Sequence, residues 1–224
     1  MRKEKFELGN YYHIYNRSSG KRPVFINLQD NARALFLIAY LQSPVRVYNI
    51  GSYVRRFTKY SVFSKNEKLN QEVMASRTVR LVAFCLMPTH FHLIVHMLIE
   101  GGISKYLQRV QEGYTKYFNT KYKTSGHLFQ GPFRAVHIES NEHMLYASAY
   151  AHRNPRELPE WKDKEHLYPW SSYQDYVGTN RWGGLLEQEV IMSQFQNAPS
   201  LPASYKSFVE SSGVKMENYQ ILGI

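Results

Sequence analysis

Apolar residues change their rhythm several times along this 224-residue chain, and each change marks an element. Tyr11-Tyr12-His13-Ile14-Tyr15 is aromatic and β-branched, which predicts a strand ended by the turn chemistry of Ser18-Ser19-Gly20. Over 28–43, Ala32, Leu35, Phe36, Ile38, Ala39 and Leu41 recur at helical spacings and predict an amphipathic helix. Residues 45–76 are basic, irregular and polar toward their end, and read as an insertion or partly mobile arm. The run Val79 to Met87 predicts a buried strand, Pro88-Thr89 a tight turn, and His90 to Met97 its hairpin partner.

A second helix is expected over 103–122, where Ile103, Tyr106, Leu107, Val110, Tyr114 and Tyr117 repeat on one side, with Gly126 after its Lys-rich last turn. Ala135 to Glu139 reads as a short strand. Ser140 or Asn141 is placed to cap a third helix, which stops near Asn154 because Pro155 disfavours helical geometry before it. The order β-α-β-β-α-β, then helix, predicts an α+β fold: a ferredoxin-like, split βαβ antiparallel sheet with helices on one face. A domain over 1–177 is expected, followed by a helical C-terminal extension over 178–224 that includes apolar stretches at Leu185 to Phe195 and Tyr205 to Ser211.

Composition narrows the class. Hydrophobic residues make up 43% and Pro plus Gly only 22 positions, which excludes disordered and collagen-like chains. One cysteine, Cys85, rules out an intramolecular disulfide framework and suits a reducing compartment. The start, MRKEKFELGN, lacks the apolar core of a signal peptide. Leu81 to Ile99 is uncharged, but its Pro, Thr and His residues would need partners in hydrocarbon, so no transmembrane helix is expected. These features together predict a cytoplasmic protein.

The net charge of +10 is unevenly placed. Residues 1–136 carry 21 basic and 7 acidic side chains, whereas 137–224 carry 7 basic and 11 acidic ones. Such a basic body suggests a polyanionic partner, nucleic acid first and membrane surface second; of the two, nucleic acid and no membrane is the expectation. With 18 Tyr, the chain also has flat faces on which unpaired bases can stack.

Three groups of residues bear chemistry. On a strand, His90 and His92 point to one face while Phe91 points to the core, so the two imidazoles can share one metal ion. Two hydrogen-bonded or surface histidines satisfy the same spacing, and His96, four residues on, reads as structural. On the third helix Tyr146, Tyr150 and Asn154 form a stripe. The Tyr150 hydroxyl and the Asn154 amide oxygen can therefore reach one site, although such stripes are commonly core packing. Tyr114, Tyr117 and Tyr146 stay open as alternative nucleophiles. Finally, Lys105 to Arg134 interleaves cations (Arg109, Lys116, Lys121, Lys123 and Arg134 among them) with rings, as a single-strand groove would, or as an amphipathic helix with a solvated face would. Tyr15-Asn16-Arg17 and Lys21-Arg22 can extend that surface.

Met87-Pro88-Thr89-His90-Phe91-His92-Leu93, then Ser125-Gly126-His127-Leu128-Phe129-Gln130-Gly131, then Tyr150-Ala151-His152-Arg153-Asn154-Pro155, resembles the single-tyrosine HUH transposases. The subgroup associated with repetitive extragenic palindromes (REP) is the nearer likeness, since Tyr12-His13-Ile14-Tyr15-Asn16-Arg17 and Tyr168-Pro169-Trp170-Ser171-Ser172-Tyr173 also resemble it. The resemblance implies Mg²⁺ or Mn²⁺ held by His90, His92 and Asn154, with Tyr150 as the nucleophile. It also implies DNA contacts by Asn16, Arg17, Lys21, Arg109, Lys116, Lys121, Lys123, Gln130 and Arg134. The implied reaction nicks single-stranded DNA beside a folded hairpin through a 5′-phosphotyrosine, by a monomer or homodimer. Gly131-Pro132-Phe133-Arg134 replaces the Gly-Arg-Phe-Lys of relatives, removing one cation. The rival reading is a domesticated protein that binds hairpin DNA or RNA without cutting it.

Overall fold

The computed structural model describes residues 5–60, 66–196 and 200–212. Residues 61–65 of the expected arm and 197–199 and 213–224 of the expected extension lie outside them. Four strands, β1 (Tyr11–Arg17), β2 (Val79–Met87), β3 (His90–Met97) and β4 (Arg134–Ile138), form one sheet in the order β2-β3-β1-β4. Every pairing is antiparallel. This is the ferredoxin-like arrangement expected from the element order.

The first helix, α1 (Leu28–Tyr40), starts where the Asn27 side chain accepts hydrogen bonds from the backbone N–H groups of Gln29 and Asp30. Residues 45–76, expected to be irregular, instead form α2 (Ile50–Tyr60) and α3 (Glu67–Ala75). The apolar positions Ile50, Val54 and Phe57 do have helical spacing and are buried. Arg55, Arg56 and Lys59 between them hide that period in the sequence. Asn66 caps α3 through the Leu69 N–H.

Helix α4 (Gly102–Tyr122) packs with α1 on the sheet face that carries Phe91. Phe91 meets Phe129, whose ring contacts Tyr114 of α4. Lys123, in the left-handed conformation, ends α4 rather than Gly126. The two helices are tied by a buried carboxylate: Asp30 accepts hydrogen bonds from Lys121 Nζ (2.6 Å), the Tyr117 hydroxyl (2.9 Å) and the Tyr122 hydroxyl (2.6 Å).

Helix α5 (Asn141–Arg153), capped by Ser140, lies on the opposite face, against His92. The outer edge of β2 is covered by the chain beyond it: Leu86 N–H donates to Trp170 O, Ser172 N–H to Phe84 O and Glu187 N–H to Leu81 O. A covered edge presents no unpaired backbone to a second chain. Short helices α6 (Tyr173–Val177) and α7 (Glu189–Met192) follow, and α8 (Leu201–Ser211) packs on α5. His152 of α5 is fully buried between Tyr205 of α8 (Nδ1 to Oη, 2.7 Å) and Ser172 (Nε2 to Oγ, 2.8 Å). Among the described residues no helix is long and apolar enough to cross a membrane.

Candidate active site

Strand alternation sets the site. Across β1, His90 lies opposite Arg17 and His92 opposite Tyr15, so these four side chains share one face with His13, two residues before Tyr15. The His90 and His92 rings are 5.1 Å apart and nearly perpendicular. Helix α5 brings Tyr150 edge-on to His92, with ring centroids 5.3 Å apart, and 5.9 Å from His13. One turn on, where Pro155 closes the helix, Asn154 donates its Nδ2 to Tyr150 O (2.9 Å). That bond turns the amide oxygen toward His90, 3.3 Å from Nε2.

The inner ring nitrogens are also engaged. His90 Nδ1 lies 3.0 Å from Thr89 Oγ1, and His92 Nδ1 lies 3.0 Å from His13 Nε2. Burial pushes all three imidazoles below their ordinary pKa, His92 well below that ordinary value and His13 to about 3, so they are neutral at pH 7. Neutral imidazoles whose Nδ1–H groups are donated to a second partner are the usual metal-ligating form. For His92 to take that form, His13 must accept at Nε2 and carry its proton on Nδ1, a buried atom with no hydrogen-bond partner. The donor set, two Nε2 atoms and one amide oxygen, therefore fits a divalent cation, and the imidazoles suit Mn²⁺ or Zn²⁺ better than Mg²⁺. Among the described residues no three His, Cys, Asp or Glu side chains gather as a metal group.

Tyr150 is pushed up to about 12, chiefly by burial and then by the Glu157 charge; Asn154 and Arg17 oppose the shift. Its hydroxyl is protonated at neutral pH and needs activation to attack.

A cavity of about 370 Å³ opens on the histidine pair, lined by Tyr15, Asn16, Arg17, His90, His92, Gln130, Pro132 and Arg134. Asn16 is 5% exposed. Its Oδ1 accepts the Arg17 N–H, while its Nδ2 has no partner. Gln130 is held nearby through its N–H to Arg17 O (2.8 Å). Four expected DNA contacts, Asn16, Arg17, Gln130 and Arg134, thus meet beside the expected metal ligands.

The rest do not line this cavity. Lys21, Lys116 and Lys123 are exposed elsewhere. Arg109 donates to the carbonyl oxygens of Leu41 and Ser43, and Lys121 is paired with Asp30. Tyr114 donates to Val24 O (2.6 Å) and Tyr146 packs on Phe208, so neither faces the histidines, nor does Tyr117 on Asp30. His96 lies beside Gly9 O and stacks on Tyr11, in keeping with a structural part. Sequence reasoning did not single out His13 for the site, and gave Tyr15 only as an extension of the basic, aromatic surface. Their signal was the period-two series Tyr11, His13, Tyr15, Arg17, which acquires meaning once β1 is paired with β3.

No curated protein matches the chain. Among solved structures, the fold is similar to that of a REP-associated tyrosine transposase determined bound to a REP hairpin. The TM-score is 0.54 at 13% identity, over 85% of this chain and 92% of that one, a likeness of fold. A family model described as IS200-like transposase matches residues 42–154, which span β2, β3, β4 and α5 with both histidines, Tyr150 and Asn154. As that match covers half of its length, the chain belongs to the IS200-like transposase family.

Proposed function

We propose that the protein is a metal-dependent endonuclease and strand transferase for single-stranded DNA that acts beside a hairpin, with Tyr150 as its nucleophile. The observation that carries this reading is the placement of the Tyr150 ring against His92, with Asn154 oriented from the same helix toward His90. A divalent cation held by His90, His92 and Asn154 would supply Lewis-acid polarisation of the scissile phosphate and lower the barrier to attack by a phenol.

The chain's own groups do the rest. Arg17 and Arg134 hold flanking phosphates at the cavity, and Asn16 Nδ2 and the Gln130 amide offer hydrogen bonds to an unpaired base. Tyr150 Oη attacks phosphorus and loses its proton to solvent. The P–O3′ bond breaks, and the departing 3′ oxygen takes up a proton. The product is a 5′-phosphotyrosyl bond, and because it retains the energy of the phosphodiester, a second 3′-hydroxyl can attack it and free the tyrosine. Hairpin DNA as the partner is supported by the family, the basic body of the chain and the neighbouring structure's REP hairpin. The reaction implies work at the chromosome, in the cytoplasm.

The test is incubation with Mn²⁺ and a labelled pool of single-stranded hairpins with randomised flanks. The expected result is a denaturant-resistant protein–DNA adduct that disappears with EDTA. Hairpin binding without an adduct under any metal would favour the binding protein instead.

A further inference from the structure

The stretch from Asn31 to Asn66 contains six basic residues and no acidic one. Helix α2 lies at its centre. Its Ile50, Val54 and Phe57 are buried and Tyr53 packs on Phe36 and Tyr40 of α1, which fixes the orientation of the helix. Arg55, Arg56 and Lys59 are therefore exposed together. Among the described residues none of the three pairs with a carboxylate. Neighbouring cations repel one another, so a cluster without counter-charges favours a polyanion.

Position adds a second argument. Phe57 touches Trp170, ring centroids 6.1 Å apart, and Trp170 O accepts the Leu86 N–H. Leu86 is followed by Met87, which lies opposite His90. The basic face of α2 thus stands on the β2 side of the histidine pair, while Arg17 and Arg134 stand on the β1–β4 side. Lys59 Nζ sits over the Tyr60 ring, 5.0 Å from its centroid, so this ring is not an open platform for a base. Arg55 to Lys59 spans about 6 Å of helix, close to the axial rise of two nucleotides along one strand of a duplex.

We infer that the exposed face of α2 is a second nucleic-acid surface, which holds the phosphate backbone of the duplex stem while the unpaired flank occupies the cavity. This rests on the proposed function for the identity of the DNA, and it adds a contact that the cavity does not make.

The experiment compares the full chain with the Arg55→Gln/Arg56→Gln/Lys59→Gln variant. Binding to a hairpin, and to a single strand of equal length that cannot fold, is measured over a salt series. All three side chains are exposed, and an unchanged melting temperature verifies the fold. The expected result is hairpin affinity weaker by roughly 10- to 100-fold, with a slope of log K against log salt shallower by about 2.7 and single-strand binding unchanged. An unchanged hairpin slope, or equal losses on both DNAs, overturns the inference. Hairpin binding by the unaltered chain without any covalent adduct would sink the nuclease reading alone and leave this surface fully testable.

Discussion

Asn154 Oδ1 faces His90 Nε2 at 3.3 Å because the other end of the same amide is spent on the Tyr150 carbonyl. One side chain thereby links the expected metal pair to the helix of the expected nucleophile. Asn154→Ala removes an oxygen donor and the orienting bond without disturbing the sheet. Half-maximal adduct formation should then require roughly 10- to 100-fold more Mn²⁺. An unchanged metal requirement would remove Asn154 from the site.

His13 belongs to the same arrangement one step further out, 3.0 Å from His92 Nδ1. In His13→Phe the His92 ring loses the partner that sets its tautomer. Mn²⁺ affinity by titration calorimetry should fall by about 10-fold or more, with hairpin binding in EDTA unchanged. If affinity holds, the contact is packing alone.

Buried imidazoles also make stability depend on pH. His13 and His152 are both lowered to about 3 by burial, whereas in the unfolded chain they titrate near 6.5. Between those values the unfolded state binds the extra protons. Their contribution is complete above pH 6.5 and is lost as pH falls toward 3, at about 1.4 kcal/mol per pH unit for each group. Urea unfolding in EDTA should show this decline beginning below pH 6.5, and His152→Phe should make it shallower. A flat profile from pH 6.5 to 5 would contradict the burial of neutral imidazoles.

Two cations that look alike in the sequence should behave differently. Lys121 compensates the buried carboxylate of Asp30, while Arg134 lines the cavity. Lys121→Gln should destabilise the fold by about 2–4 kcal/mol, because a buried charge loses its partner, and leave the salt dependence of DNA binding unaltered. Arg134→Gln, which removes one contact to a single-stranded phosphate, should reduce that salt slope by about 0.7 with little change in stability. Chemical denaturation and a salt titration on both variants separate the two parts.

The contrast shows which information was local. β2, the tight turn and β3 were legible to the residue, because a continuous apolar run, Pro88-Thr89 and a second run leave little freedom. Strand period alone put His90 and His92 on one face, and helical period put Asn154 one turn beyond Tyr150. What pairs with what across the sheet is not local. His13 reaches His92 only because β1 inserts between β3 and β4, a choice made by tertiary packing. Charge was similarly ambiguous: Arg109 and Lys121 have the same basic, aromatic-rich surroundings as a DNA surface, but one donates to backbone carbonyls and the other pairs with Asp30. In α2 the order of difficulty is reversed, since a plain helical period was masked by the basic residues interleaved with it.

Among the tyrosines on or near α5, Tyr150 is the residue expected to take the phosphate. Trypsin releases residues 135–153 as one peptide that contains both Tyr146 and Tyr150. Fragmentation mass spectrometry of this peptide from the Mn²⁺-dependent adduct should place the nucleotide on Tyr150, and Tyr150→Phe should give no adduct while still binding the hairpin. A nucleotide found on Tyr146 or on another peptide, or an adduct that survives Tyr150→Phe, would rule out Tyr150 as the nucleophile.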